Sequence, residues 1–205
     1  MTGSTRYVLA TRSPGKLREL EPLFAHAGIE VVPLDGAGIP ETATEAEIEA
    51  YSTFEENAFA KASYFRDLTG LPTFADDSGL EVFALGGEPG VRSKRWSGRA
   101  DLTGLALDAA NNAELLRALK GVTSRGARYV CVAALATSAG VLARRGEVEG
   151  EILDAGRGSG GFGYDPLFFA TELGMTFGEA SVREKERVSH RGRAFHALLG
   201  AMRGG

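Results

Sequence analysis

The sequence predicts an α/β fold: a mixed, partly antiparallel central sheet with helices flanking it. Three observations carry that expectation. Strand-like and helix-like patterns alternate early in the chain, and two strand-like runs follow one another later with only a turn between them. Hydrophobic residues make up 43% of the 205 residues and charged residues 24%, ordinary values for a globular chain. Alternation favours parallel strands with helical crossovers, and consecutive strands favour an antiparallel pair. The sheet is therefore expected to be mixed rather than regularly doubly wound.

Residues 6–11 (RYVLAT) form an apolar run of strand length. Ser13 and Pro14 supply an N-cap and a proline at the first helical position. Leu17, Leu20, Leu23 and Phe24 then recur at helical spacing until Gly28 ends the helix. Residues 29–34 predict a second strand. Thr53-Phe54-Glu55-Glu56 is a capping-box pattern that opens a helix to residue 68. Residues 72–75 and 81–85 read as strands around a turn at residues 76–79. Residues 108–119 predict a helix. Residues 128–137 and 141–152 predict an antiparallel pair with a turn at residues 138–140. Ser189 is placed to cap a last helix, on which Phe195, Leu198, Leu199 and Met202 share a face. No repeat or low-complexity linker divides the chain, so one folded unit is expected.

Composition narrows the function. No apolar run approaches the ~20 residues of a membrane span. The N-terminal stretch lacks a secretory apolar region, so a cytoplasmic address is expected. The single cysteine, Cys131, excludes an internal disulfide framework and a cysteine-based zinc site. The net charge of −4 argues against bulk nucleic-acid binding. Charge is unevenly spread, however. Residues 35–60 hold seven acids and no Lys or Arg, while residues 92–99 hold four cations and no acid. Residues 181–205 hold six cations against two acids. Such patches are either solvated faces or the parts of a site that holds a metal ion and a polyanion together.

Four segments could carry chemistry. Thr11-Arg12-Ser13-Pro14-Gly15-Lys16 joins a strand to a helix N-terminus, where unpaired amides, hydroxyls and a lysine could cradle phosphate. The alternative is an ordinary strand-to-helix turn, and the segment is no Walker A loop. Phe74-Ala75-Asp76-Asp77-Ser78-Gly79 puts two acids where an apolar strand ends. Alternation sends their side chains to opposite faces, so one could meet a hard cation such as Mg²⁺, unless both merely sit in a solvated turn. Residues 156–166 (GRGSGGFGYDP) hold five glycines, with two aromatics among and after them and an acid beside these, suited to stacking on a base and reading its edge. That run lacks the long helix of a dinucleotide fingerprint, and its alternative is a turn with core aromatics. Residues 185–193 (KERVSHRGR) offer Lys185, His190 and Arg191 as donors to an anion or an oxo group, or else a basic solvated face.

Taken in order, LATRSPGKLREL, TFEENAFAKA, ADDSGLEV, LGGEPGVRSKRWSG, GGFGYDP and the EK…SHRGRAF run resemble the inosine triphosphate pyrophosphatase family. The resemblance covers nearly the whole chain. It implies a single nucleoside-triphosphate pyrophosphatase domain over residues 1–205, folded as two lobes around an active-site cleft. It also implies a homodimer that hydrolyses ITP, dITP and XTP to the monophosphate and pyrophosphate with Mg²⁺, cleansing the nucleotide pool. On that basis Thr11, Arg12, Ser13, Pro14, Gly15 and Lys16 would hold the triphosphate. Asp77 would be the essential acidic residue, serving as base and, with Glu49, as Mg²⁺ ligand. Asn57 and Ser78 would touch substrate. Phe162, Gly163, Tyr164 and Asp165 would stack on and read the base, and Lys185, His190 and Arg191 would complete the base pocket. Two features depart from the family pattern. Ser13 stands where asparagine is usual, and residues 41–51 are longer and more acidic than usual, which makes Glu45 a rival of Glu49. Two other readings stay open: a pyrophosphatase for other modified nucleotides, and a non-catalytic nucleotide sensor, against which the retained Asp77 and Lys16 speak.

Overall fold

The computed structural model describes residues 6–42 and 44–204. Strand β1 (Tyr7–Leu9) leads through helix α1 (Pro14–Ala27) to β2 (Val31–Pro33), which pairs parallel to β1. Helices α2 (Glu45–Ile48) and α3 (Phe54–Thr69) precede β3 (Thr73–Val82), which is also parallel to β1. Parallel neighbours need crossovers, and α1 and α3 supply them. Helix α4 (Gly104–Ala118) precedes the long strands β4 (Gly126–Thr137) and β5 (Gly140–Ile152), joined through Ser138 and Ala139. Strands β6 (Phe168–Ala170) and β7 (Met175–Thr176) add on antiparallel, and helices α5 (Val182–Val188) and α6 (His190–Arg203) follow. The seven strands lie in the order β2-β1-β3-β4-β5-β6-β7. The sheet is mixed, as the alternation and then clustering of strand patterns predicts.

Local chemistry explains the helix ends. The Ser13 hydroxyl accepts from the Lys16 amide, and Pro14 sits at the start of α1. Gly28 ends that helix at φ 69°, a left-handed conformation that costs a residue without Cβ nothing. Thr53 caps α3 by accepting from the Glu56 amide.

The structure departs from the sequence reading in two elements. Residues 76–79 are not a turn: β3 runs unbroken through them, and a 3-10 turn at Phe83–Leu85 stands where the second strand was expected. Every residue from Thr73 to Asp77 is buried, so the segment is a strand covered on both faces, in which polar residues are read too easily as a turn. The last helix is preceded by another: α5 has its own capping box between Ser181 and Glu184, and the extended Ser189 separates it from α6. Two glycines of residues 156–163 are required by the protein's own packing. A Cβ on Gly158 would strike the Gly178 backbone, and one on Gly161 would strike the Asp165 carboxylate.

The chain divides into two compact units: Met1–Asp77 with Cys131–Gly146 and Arg191–Gly205, and Ser78–Val130 with Glu147–His190. The first has a core of Leu9, Leu20, Phe24, Phe74, Phe195 and their neighbours, with the Phe24 and Phe74 rings 4.8 Å apart. The second is built on Leu80, Leu115, Tyr129, Phe168 and Phe177, where Tyr129 and Phe168 meet edge to face at 4.7 Å. Phe195 is fully buried and meets Phe24 edge-on at 5.6 Å. Phe195→Ala should therefore lower the unfolding free energy by about 3–5 kcal/mol in urea denaturation, the usual cost of emptying a packed aromatic site. A loss below about 1 kcal/mol would show that α6 is not part of that core.

Candidate functional site

In the first unit, pleat alternation separates the two adjacent acids of β3. Asp76 meets the Lys16 ammonium at 2.9 Å and the Arg191 guanidinium at 3.2 Å. Burial alone would push its carboxyl up, but Lys16, Arg191 and Lys61 outweigh burial and hold it far below the usual carboxylate range. Its Oδ2 also lies 3.7 Å from the Cys131 thiol, while its Oδ1 has no hydrogen-bond partner among the described residues. Arg191 pairs with Glu19 as well as Asp76 and is 2% exposed. Arg191, which the motif resemblance implies for the base pocket, is held against two carboxylates of the first unit.

Asp77 presents its Oδ2 to the Asn57 side-chain amide at 2.9 Å. Asn57 is itself oriented, because its Oδ1 accepts from the Tyr51 backbone amide at 3.0 Å and so turns the NH₂ toward Asp77. Burial raises the Asp77 carboxyl above its ordinary value; Lys16 and Lys61 oppose that, and Glu49 adds to it. Glu49 is ion-paired with Lys61. Burial works against the Glu49 charge, but Lys61 and then Lys16 outweigh it and keep its carboxyl low. Lys61 is correspondingly held protonated: burial disfavours its charge, and Glu49, Asp76 and Asp77 more than restore it. Three carboxylates and the cations Lys16, Lys61 and Arg191 thus form one coupled set, the kind of clustered perturbation found at functional sites.

The phosphate-loop residues divide. Thr11 Oγ1 accepts from the Ser13 amide at 3.1 Å, and Ser13 Oγ accepts from the Lys16 amide at 3.3 Å, so both hydroxyls shape the loop. Arg12 turns to the acidic segment, donating to Glu45 at 2.8 and 3.2 Å and to Asp35 at 2.5 Å. Glu45 is therefore engaged by Arg12, whereas Glu49 shares the electrostatics of Asp77. Asp77 and Glu49 are oxygen donors, and the charge of Glu49 adds to the cost of ionising Asp77, which a cation relieves. Among the described residues no group of three or more His, Cys, Asp or Glu could cage a metal alone. Two carboxylates suit Mg²⁺, which commonly takes its remaining ligands from water and substrate phosphate.

In the second unit, Asp165 is 2% exposed and ties its surroundings together. Its Oδ2 accepts from the Phe162 amide at 2.7 Å and pairs with Lys185, and Tyr129 OH donates to Oδ1 at 3.4 Å. The Lys185 ammonium lies 5.1 Å from the ring centroids of both Phe162 and Phe177, within cation–π range. His190 stacks on Tyr129, centroids 4.5 Å apart and planes at 6°. Phe162 is half-buried, but Tyr164 is in the core, its hydroxyl donating to the Ser93 carbonyl at 2.7 Å. Burial, with the charge of Asp108, pushes that hydroxyl's pKa up. Tyr164 therefore anchors the loop through its hydroxyl. Ser78, the first residue of this unit, is partly exposed on β3.

Sequence reading missed Lys61, Tyr129 and the ion pairs of Asp76. Lys61 had a signal, since it stands four residues after Asn57 and so on the same face of α3. Asp76 had none, because its partners Lys16 and Arg191 are distant in sequence.

Comparison with known proteins places these clusters in context. A model of the Ham1 family matches residues 7–201. A dITP/XTP pyrophosphatase of Thermus thermophilus is 49% identical over 100% of this chain and 95% of its own length. A dITP/XTP pyrophosphatase of Syntrophobacter fumaroxidans is 50% identical over 93% of this chain and 79% of its own. Among solved structures, a HAM1 protein from Coxiella burnetii matches with a TM-score of 0.83 at 36% identity, covering 98% of this chain and 100% of that one.

The buried Arg191 yields a prediction. Arg191→Met removes the counter-charge of Asp76 and Glu19 and should cost about 3–5 kcal/mol of stability in urea unfolding. Adding Asp76→Asn should restore part of it. A double variant no more stable than Arg191→Met would show that the two residues are not coupled.

Proposed function

The chain belongs to the Ham1 family, and we propose that it hydrolyses deaminated purine nucleoside triphosphates, dITP, XTP and ITP, to the monophosphate and pyrophosphate. The observation that carries this reading is Asp77: a buried carboxylate, oriented by Asn57, with its basicity raised and two lysines in its field. The names of the curated relatives support the same reading.

The chemistry follows from those groups. Water attacks the α-phosphorus and passes a proton to the Asp77 carboxylate, and the bond from that phosphorus to the bridging oxygen breaks, releasing pyrophosphate. Burial makes Asp77 a stronger base than a solvated carboxylate, and the Asn57 amide fixes the direction in which it accepts the proton. Lys16 and the N-terminus of α1 attract the phosphates; in binding, the Lys16 ammonium exchanges part of its contact with Asp76 for phosphate oxygens. Asp77 and Glu49 would hold Mg²⁺, which when bound neutralises charge on phosphate oxygens. Lys61 keeps Glu49 ionised for that task. The base falls to Phe162, with Lys185 as the nearby cationic donor. A donor of this kind matches the 6-oxo group of hypoxanthine and xanthine and mismatches the amino group of adenine.

A homodimer in the cytoplasm completes the proposal, following the motif resemblance. No helix of the described residues is long and apolar enough to cross a membrane.

Incubation with a panel of nucleoside triphosphates and Mg²⁺, followed by assay of pyrophosphate, tests the reading directly; release from ATP as fast as from dITP would defeat it. Asp77→Asn should keep the fold and slow turnover by at least ~10²–10⁴-fold, the range for loss of a general base. A variant within a few-fold of wild type removes Asp77 from the mechanism. Excess EDTA should abolish activity, and Glu49→Gln should raise the Mg²⁺ concentration needed for half-maximal rate. Glu45→Gln, on the Arg12 side, should leave that concentration unchanged; the reverse pattern would transfer the metal to Glu45.

A further inference from the structure

Helix α4 grips the loop that carries Phe162. The Gly163 amide donates to Asp108 Oδ2 at 2.9 Å, and the Gly163 carbonyl accepts from Asn112 Nδ2 at 3.0 Å. Asp108 and Asn112 are four residues apart and so stand on one face of α4. Both backbone groups of the residue after Phe162 are thereby fixed by one rigid element. Gly163 has φ 64°, with nothing within 4 Å of where a Cβ would stand. Glycine is required there by the backbone turn and not by crowding, so the turn is a conformation that the clamp must hold. Helix α4 is itself fixed. Leu115 is fully buried, and Asn111 accepts from the Ser97 amide at 2.9 Å while donating to the Lys94 carbonyl at 3.0 Å.

We propose that Asp108 and Asn112 are positioning residues for base recognition: they set the plane of the Phe162 ring by clamping the two backbone groups of Gly163. This rests on the function proposed above and goes beyond it, because none of the family motifs includes α4. The physical case is one of preorganisation. Phe162 is half-buried, with the Lys185 ammonium over its ring, and its backbone sets where that ring stands. Its orientation comes from the backbone on either side: the Asp165 carboxylate holds the Phe162 amide at 2.7 Å, and Asp108 and Asn112 hold the next residue. A stacking ring left free to swing gives up affinity for the base and with it discrimination between bases. The phosphates, attracted by Lys16 and its neighbours, are indifferent to that change.

The test is equilibrium binding of two probes, inosine 5′-monophosphate and inorganic tripolyphosphate, to the full chain. Asp108→Ala removes the acceptor for the Gly163 amide. Asn112→Asp is isosteric but sets an acceptor against the Gly163 carbonyl. Each should weaken inosine monophosphate about tenfold, the equivalent of ~1.4 kcal/mol, and leave tripolyphosphate within about twofold of wild type. Asp108→Asn still offers an oxygen to the amide and should bind both probes nearly as wild type does. The dITP-to-dATP ratio of kcat/KM should fall in step with the inosine monophosphate affinity. Lys16→Ala should do the opposite, weakening tripolyphosphate and sparing the ratio. If Asp108→Ala fails to fold, the isosteric Asn112→Asp carries the same comparison. Unchanged binding of inosine monophosphate, or equal weakening of both probes, overturns the positioning role. A wild-type protein that binds AMP as tightly as inosine monophosphate would instead overturn the proposed base preference, which keeps the two failures apart.

Discussion

The structure of the first unit depends on one constraint: two adjacent acids lie buried in the middle of β3, and each needs its charge answered. For Asp76 the answer is two cations, Lys16 from the first turn of α1 and Arg191 from the first turn of α6. An unpaired carboxylate at that depth would cost several kcal/mol, so these contacts tie both helices to the strand. For Asp77 the compensation is weaker. Asn57 gives it a neutral hydrogen bond, and the nearby charges do not overcome its burial, so its proton affinity rises where that of Asp76 falls. Neighbours in the chain thus acquire different chemistry from the pleat alone. One is a fixed counter-charge, and the other keeps the higher proton affinity.

The second unit repeats the arrangement with a single acid. Asp165 is buried, Lys185 answers its charge, and the remaining acceptor capacity holds the Phe162 amide. The acid is largely occupied in shaping the loop, which leaves the aromatic ring and the ammonium as the chemistry on offer. Gly158 and Gly161 fit the same logic. Their missing side chains admit Gly178 and Asp165, an approach of the protein to itself.

How much of this the sequence disclosed follows from the range of the forces involved. Caps and periodicity act within a few residues, and the ends of α1 and α3 were legible at Ser13, Gly28 and Thr53. The continuity of β3 was not legible, because a pair of acids followed by serine and glycine reads as a turn unless its counter-charges are known. Those are 60 residues away for Lys16 and 115 for Arg191. Motif resemblance pointed to Lys16, Asn57 and Asp77, and the structure brings these into one cluster. The same motifs could not tell that Tyr164 turns inward to Ser93, because direction within a loop is set by packing.

The run Ser189-His190-Arg191 makes the same point about spacing. The motif resemblance implies that its His190 and Arg191, contiguous in sequence, complete one base pocket with Lys185. The residues open a helix, where each successive side chain is turned by about 100°. One such step is enough to send His190 onto the face of Tyr129 and Arg191 onto Asp76 and Glu19. The division of the chain into its two units falls between them, as it falls between Asp77 and Ser78. Motif boundaries therefore do not coincide with clusters of contacts. Adjacent residues of a helix or strand face different surroundings by geometry, while residues four apart on a helix share one. That is why Asn57 with Lys61, and Asp108 with Asn112, act as pairs on single faces, and why His190 and Arg191 do not.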